Sequence, residues 1–344
     1  MHINTVTNVE DFAKLAAEWN TLLKCCNESH VPFLRHEDLI TWWDTLGGGE
    51  GPHGDLNIIT ARDGDGHLVG IAPLFYTQNL DSNPAYMLIG SVEISDYLDL
   101  IVDIQDMDRF VSHLLEYLTK ESRHDWQVLD LYNLPEDSPT LPALKSAAKN
   151  LGLDFNQENL QPCPYIPLPG DWEAYLLSLK KKQRHEIRRK TRRAENLPET
   201  VRWYIVEDED HLDSEIEDLF ALMAQDPAKE AFLTDKMRQH MKDSIHAAFD
   251  AGWLQLVFLE VSGNKAAVYL NFDYAGHIWL YNSGFEYEYG ELSPGWVLLG
   301  YLLRWANENG RQALDFMRGD EIYKYRFGGI NRYVVRAKIN NKLE

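Results

Sequence analysis

Asp315, Arg318, Asp320, Glu321, Tyr323, Lys324, Tyr325 and Arg326 place acids, phenols and cations in one short segment near the end of the sequence. An Asp or Glu there can take a proton from a nucleophile, a Tyr can return one to a leaving thiolate, and Lys324 can hold an anion. A surface salt-bridge network would have the same composition, so composition alone leaves both readings open.

Upstream, Ser293-Pro294-Gly295 opens an apolar stretch that ends at Gly310. Serine is a good N-cap, proline suits the first helical position because its missing N–H would be unpaired, and glycine suits the C-terminal cap. A helix over 295–309 is expected, joining two apolar strands at 277–282 and 312–317. Such a crossover makes the strands parallel. The segment of acids and phenols then follows a parallel strand, where ligands of open α/β sheets commonly sit. The helix start, with Ser293, Gly295 and free backbone N–H groups, suits an anion such as a pyrophosphate, although an ordinary capped helix would look the same.

A third feature is "KKKQRHEIRRKTRR", residues 180–193, which holds nine of the 33 lysines and arginines of a chain with formal charge -21. On a helix, Leu176, Leu179, Gln183, Ile187, Ala194 and Leu197 form one stripe, beside a ridge of Lys181, Arg184, Arg188 and Arg192. The stripe predicts a helix packed on its domain rather than a free basic tail, with the charges meeting either solvent or an anionic ligand.

The elements that would position these groups divide at "QPCPYIPLPG", 161–170, whose four prolines read as a linker or an extended crossing segment. Up to residue 160 there are 9 basic and 26 acidic residues (net -17), and beyond it 24 and 28 (net -4). An N-terminal half so acidic repels phosphate, which argues against DNA or anionic-membrane binding by that half. The expected domains are 1–160 and 171–344. In the first, a helix over 9–26 precedes a hairpin (55–62 and 67–76), strands at 87–92 and 97–103, a helix at 106–121, a strand at 128–131, a helix at 139–150 and a strand near 153–158. In the second, the basic helix precedes a strand at 201–206, helices at 209–226 and 234–250, and strands at 253–261 and 266–274. A final strand is expected over 332–339. The plan is α+β with α/β crossovers.

Apolar residues make up 44% of the chain, enough for well-buried cores. Cys25, Cys26 and Cys163 have no metal spacing and the histidines no His-x-x-x-His pair, so no metal is expected. The glycines within 42–55 lack the strand-then-helix context of a nucleotide fingerprint. No signal segment or membrane-spanning run is evident, and a cytoplasmic protein is expected.

The motifs Tyr281-x-Ser283-Gly284-Phe285, Ser293-Pro294-Gly295-x-x-Leu298-Leu299, Asp315-Phe316-x-Arg318-Gly319-Asp320 and Tyr323-Lys324-x-x-Phe327 resemble the cellulose-biosynthesis CelD-like acetyltransferases, a branch of the GNAT superfamily. The basic helix resembles that family's Leu-Ser-x-Lys-x-Arg-x-x-x-Arg-Arg region, so the likeness covers about 176–329. The first half resembles it chiefly at Ser95-Asp96-Tyr97-Leu98-Asp99. The resemblance implies two tandem GNAT-like domains, similar in plan to Fem-type ligases, the first degenerate and the second binding acyl-CoA between splayed parallel strands. It implies cofactor contacts at Ser283, Ser293, Gly295 and Trp296, with Arg184 and Arg188 on the anion, and an acceptor pocket at Asp96, Tyr97 and Asp99. For direct transfer from acetyl-CoA to an amine or hydroxyl, such as a sugar-linked acceptor, Asp320 is the first choice of base and Glu321 the second. Tyr323 is then the acid, and Lys324 positions phosphate or acceptor. The sequence departs from ordinary GNAT enzymes in lacking the Gln/Arg-x-x-Gly-x-Gly/Ala loop and in the acidic run 286–291. Two other readings remain: a Fem-like transferase using aminoacyl-tRNA, and a non-catalytic accessory protein of polysaccharide production.

Overall fold

The computed structural model describes residues 1–26, 31–47 and 54–341. The chain forms two compact units, Met1–Pro162 with Arg332–Glu344, and Cys163–Asn331. The last strand, Ile330–Asn340, therefore belongs almost entirely to the first unit, not to the second as the division at 161–170 implies. Of the two readings of the proline-rich stretch, the extended crossing segment is the one found: the boundary between the units falls at Pro162 and Cys163, within the strand Asp154–Pro167. The strand tolerates Pro164 because that residue's carbonyl still accepts from the Phe316 amide (2.9 Å), while Leu168 supplies its N–H to Gln312 O (2.8 Å).

In the first unit, His2–Val6, Ile58–Arg62, Leu68–Ala72 and Ile101–Val102 make an antiparallel sheet. The expected hairpin exists, but each arm changes direction: Asn57 separates Asp55–Leu56 from Ile58–Arg62, and Pro73 separates Leu68–Ala72 from Leu74–Gln78. Proline cannot donate to a ladder, so the chain leaves one sheet there and enters another. Leu74–Gln78 pairs with Pro84–Leu88, which runs parallel to Val128–Pro135. The helix expected over 9–26 is two helices, Val9–Lys14 and Ala16–Cys25, meeting at Leu15. The glycines of 42–55 lie partly outside the described residues, and 42–46 close the helix His36–Leu46.

The final strand pairs antiparallel with Val128–Pro135 and carries a buried ion pair. Arg336 donates to both carboxylate oxygens of fully buried Asp130 (2.7 Å each) and to Asp81 (2.8 Å), and its guanidinium lies 4.4 Å from the Tyr132 ring centroid. Asn79 donates to Asp130 as well (2.7 Å), so the acid is fully matched.

In the second unit, Val201–Ile205, Leu254–Val261, Asn264–Tyr274 and His277–Phe285 follow one another antiparallel. The helix Pro294–Glu308 then returns the chain to Ala313–Asp315, which pairs parallel with His277–Trp279. This helix carries an apolar face onto the sheet through Val297, Leu298, Leu302 and Leu303, which join Val257, Tyr269 and Ile278 in one core. On its other side it packs against the basic helix, Lys181–Glu195, where Gly300 lies under Thr191 and Ile187. Leu176 and Leu179 precede the break at Lys180 and belong to a separate short helix, Trp172–Ser178, and its C-cap.

Replacing Arg336 by Met leaves Asp130 charged and buried without its counter-ion. The expected loss is about 3–5 kcal/mol of unfolding free energy, read by urea denaturation. A loss below about 1 kcal/mol would mean that Asp130 does not depend on the guanidinium.

Candidate functional site

A cavity of about 310 Å³ in the second unit is built where two parallel strands part. His277–Phe285 and Ala313–Asp315 pair at only three positions, ending at Trp279 and Asp315. Beyond them the first strand continues, with one extra residue at Tyr281 where its register with Asn271 shifts. Such a bulge re-aims the side chains that follow it. The second strand stops because Met317, at φ 59°, turns its N–H back to Asp315 Oδ1 (2.7 Å).

The following loop is organised by Lys324, which is buried. Its Nζ donates to the carbonyls of Met317 (3.3 Å), Arg318 (2.8 Å) and Gly319 (3.1 Å), and lies 2.9 Å from Glu321 Oε2. The ammonium is fully engaged with its own loop and is not offered to a ligand, contrary to the expectation for Lys324. Tyr323 lines the cavity edge-on to Phe316. Burial first, then the charge of Glu321, pushes its phenol well above the usual range, so it is protonated at neutral pH. Glu321 is more than half exposed, and Asp320 is exposed and outside the cavity lining.

The opposite wall is the start of the Pro294–Glu308 helix. Ser293 does not cap it as the sequence suggests. The residue adopts φ 56°, ψ 59°, and its hydroxyl faces Lys190 Nζ (3.1 Å) instead of a helix amide. Pro294 has no N–H, and the first intrahelical bond is from Val297 to Ser293 O, which leaves the amides of Gly295 and Trp296 without intrahelical partners. Gly295 is required sterically, since a Cβ there would lie 2.2 Å from the Phe285 ring. Gly284 serves the neighbouring contact, where a Cβ would come within 2.6 Å of the Leu222–Met223 backbone.

Lys190 is the cation that reaches this wall. Its Nζ lies 4.4 Å from the Trp296 ring centroid and 3.7 Å from Glu186. Burial holds its pKa below that of an ordinary lysine, and Glu186 only partly offsets this. Arg184 and Arg188, the cations singled out from the sequence, are not in the lining: Arg188 pairs with Glu173, and Arg184 reaches the Leu177 carbonyl at 3.5 Å. Sequence reading missed Lys190 although its position carries the signal. Ile187 and Ala194 are the buried residues of this helix, and a residue three after Ile187 shares their face.

Ser283, Ser293, Gly295, Trp296 and Tyr323 thus line one cavity. Asp96, Tyr97 and Asp99 do not form an open pocket but are buried in the first unit. Asp99 accepts from Ser138 (2.5 Å), Thr140 (2.6 Å) and its neighbour's amide at Leu100 (2.7 Å), and the Tyr97 hydroxyl accepts from Arg332 (3.0 Å). Asn133 holds the same segment through the carbonyls of Val92 and Ser95. These contacts explain why 97–103 is not a strand except at Ile101–Val102.

Parallel strands that part beside the open start of their connecting helix agree with the GNAT-like fold that the sequence resemblance implies. Residues 181–325 match the model of the family described as "Acetyltransferase (GNAT) domain". Among solved structures, FemX is similar over 98% of this chain and 97% of its own, at 12% identity and a TM-score of 0.66. The C-terminal domain of a putative lysylphosphatidylglycerol synthetase from Agrobacterium fabrum matches 96% of this chain and 92% of its own (11% identity, TM-score 0.58). A tandem GNAT protein from the clavulanic acid biosynthesis pathway matches over 100% of both chains (14% identity, TM-score 0.50). No curated protein matches the sequence. The chain is a mixed α/β protein of tandem GNAT-like architecture.

Gly295→Ala forces the Phe285 ring out of its place and should cost about 1–3 kcal/mol, measured by chemical denaturation. Adding Phe285→Leu should recover part of the loss. An unshifted midpoint for Gly295→Ala would show that the ring is not fixed there.

Proposed function

We propose that the second unit transfers an acyl group, with acetyl the simplest case, from acyl-CoA to an amine or hydroxyl acceptor by direct attack. The observation that carries this reading is the combination of two open amides at Gly295 and Trp296 with Lys190 beside them, on the wall of a cavity that also holds a protonated phenol. Helix-start amides and a nearby ammonium suit a pyrophosphate. A protonated Tyr323 suits the return of a proton to the CoA thiolate. Both acids are exposed and outside the cavity lining, and Glu321 is the better base of the two because its charge acts on Tyr323 and on Lys229. The motifs shared with the CelD-like acetyltransferases favour a sugar-linked acceptor of exopolysaccharide or cell-envelope synthesis, acylated in the cytoplasm. Among the described residues, no helix is long and apolar enough to cross a membrane.

Two features support a second reading, in which the donor is an aminoacyl-tRNA. The fold is similar to that of FemX, and Lys181, Lys182 and Arg192 are exposed on the basic helix. Nucleic-acid binding through such a face would weaken steeply with salt.

Acetyl-CoA at a hundred times its Kd should add about 2.7 kcal/mol of stability, visible as a raised Tm, and thiol release should follow when an acceptor is present. No shift together with salt-sensitive tRNA binding would favour the second reading. Glu321→Gln should lower turnover about a hundredfold with acetyl-CoA binding intact, and Asp320→Asn much less; the reverse order would restore Asp320 as the base. The ammonium of Lys190 binds phosphate only when charged. Affinity should therefore be full below its depressed pKa, fall as pH rises through it, and become flat on this limb in Lys190→Met, as titration calorimetry would read.

A further inference from the structure

A second lysine lies behind the cavity lining at Ser283. Lys229, on the short helix Pro227–Phe232, donates to Asn282 Oδ1 (3.1 Å), to the Ser283 carbonyl (2.5 Å) and to Ser283 Oγ (3.2 Å). An ammonium has three hydrogens and no lone pair, so these acceptors account for all of them. Lys229 is thus a fixed cation and has no free pair with which to act as a base. Burial draws its pKa down, and Asp226 and Glu321 oppose this.

The consequence falls on Ser283. Its backbone amide already donates to Asn282 Oδ1 (2.8 Å), and its Oγ accepts from Lys229. The one donor left is the hydroxyl hydrogen. Among the described residues no acceptor takes it, and Ser283 lines the same cavity as Tyr323 and Gly295. A hydroxyl that accepts from a cation is a stronger donor through its own hydrogen.

We propose that the Ser283 hydroxyl donates to the carbonyl oxygen of the bound thioester, with Lys229 as the positioning residue behind it. This rests on the acyl-CoA reading above. In the step, the acceptor's nitrogen or oxygen lone pair forms a bond to the carbonyl carbon, the C=O π pair moves onto oxygen, and Ser283 stabilises that oxyanion. The acceptor's proton passes to Glu321. The C=O then re-forms, the C–S bond breaks, and the thiolate takes its proton from Tyr323. A donor aimed at developing charge contributes to the transition state more than to binding.

Two measurements test the assignment, each on variants shown by melting to be folded. In steady-state kinetics, Ser283→Ala should lower kcat about a hundredfold or more with little change in KM for acetyl-CoA. Lys229→Met should lower kcat in the wild-type background but by less than about threefold in Ser283→Ala, because it acts through that hydroxyl. Independent, multiplying losses would remove Lys229 from the role. In the second measurement, infrared spectra of bound acetyl-CoA carrying a carbonyl isotope label should show the band at lower frequency in wild type than in Ser283→Ala. Identical bands with binding intact would overturn the Ser283 assignment alone. Failure of acetyl-CoA to bind the wild-type chain would overturn the acyl-CoA reading and this one with it.

Discussion

The cavity exists because a parallel pair of strands stops after three residues, and the buried ammonium of Lys324 keeps the chain from resuming it. Three successive carbonyls, of Met317, Arg318 and Gly319, converge on Nζ, which fixes the backbone in a tight loop where a fourth and fifth ladder position would otherwise form. Burying a lysine is costly unless its charge is met by hydrogen bonds and a counter-ion. Here the carbonyl dipoles and Glu321 supply both. The same loop brings Tyr323 to the cavity, so one residue's solvation requirement sets both the opening of the cleft and the place of its phenol.

Much of this was legible in the sequence where local rules dominate. The helix starting at Ser293-Pro294 and the basic helix follow from periodicity and terminal signals, and the parallel pairing of the two strands follows from the crossover that joins them. What local rules could not show is which partner a polar side chain finds across the fold. Ser293 has the chemistry of an N-cap, but a lysine 103 positions away takes its hydroxyl, and the backbone turns left-handed. Asp99 has the chemistry of a pocket acid, yet Ser138 and Thr140 close over it. The stretch 161–170 reads equally as a linker or an extended crossing segment because prolines lack donors, and the partner across the sheet decides for the strand, which needs only some of its residues to donate. Each misreading concerns a long-range partner.

Part of the charge of the basic helix is answered by its neighbours. Arg188 meets Glu173, Arg189 meets Glu186, and Arg193 meets the carbonyl and carboxylate of Glu291. Exposed pairs of this kind contribute little stability, about 0–1 kcal/mol each. They do decide which cation is left for the cavity: Lys190 sits between the buried Ile187 and Ala194, and the packing of the helix against Pro294–Glu308 directs it inward.

That distribution also bears on the acidic run 286–291, which from its sequence should repel a phosphate and in which two of the three carboxylates are held. Glu286 turns its carboxylate to the amide of Glu288 (3.3 Å), and Glu291 is matched by Arg193 (3.2 Å). A carboxylate held by a backbone amide or a guanidinium presents less field to a neighbouring site than a free one, and water screens what remains. Lys190 lines the cavity and Lys229 backs its Ser283, both partly withdrawn from water, where a charge acts more strongly than it does on the surface. The protein is acidic as a whole, but the charges closest to the cavity's two donor-bearing serines are positive. An anionic ligand therefore meets Lys190 in the lining and Lys229 behind Ser283, with Glu286 the one acid of the lining.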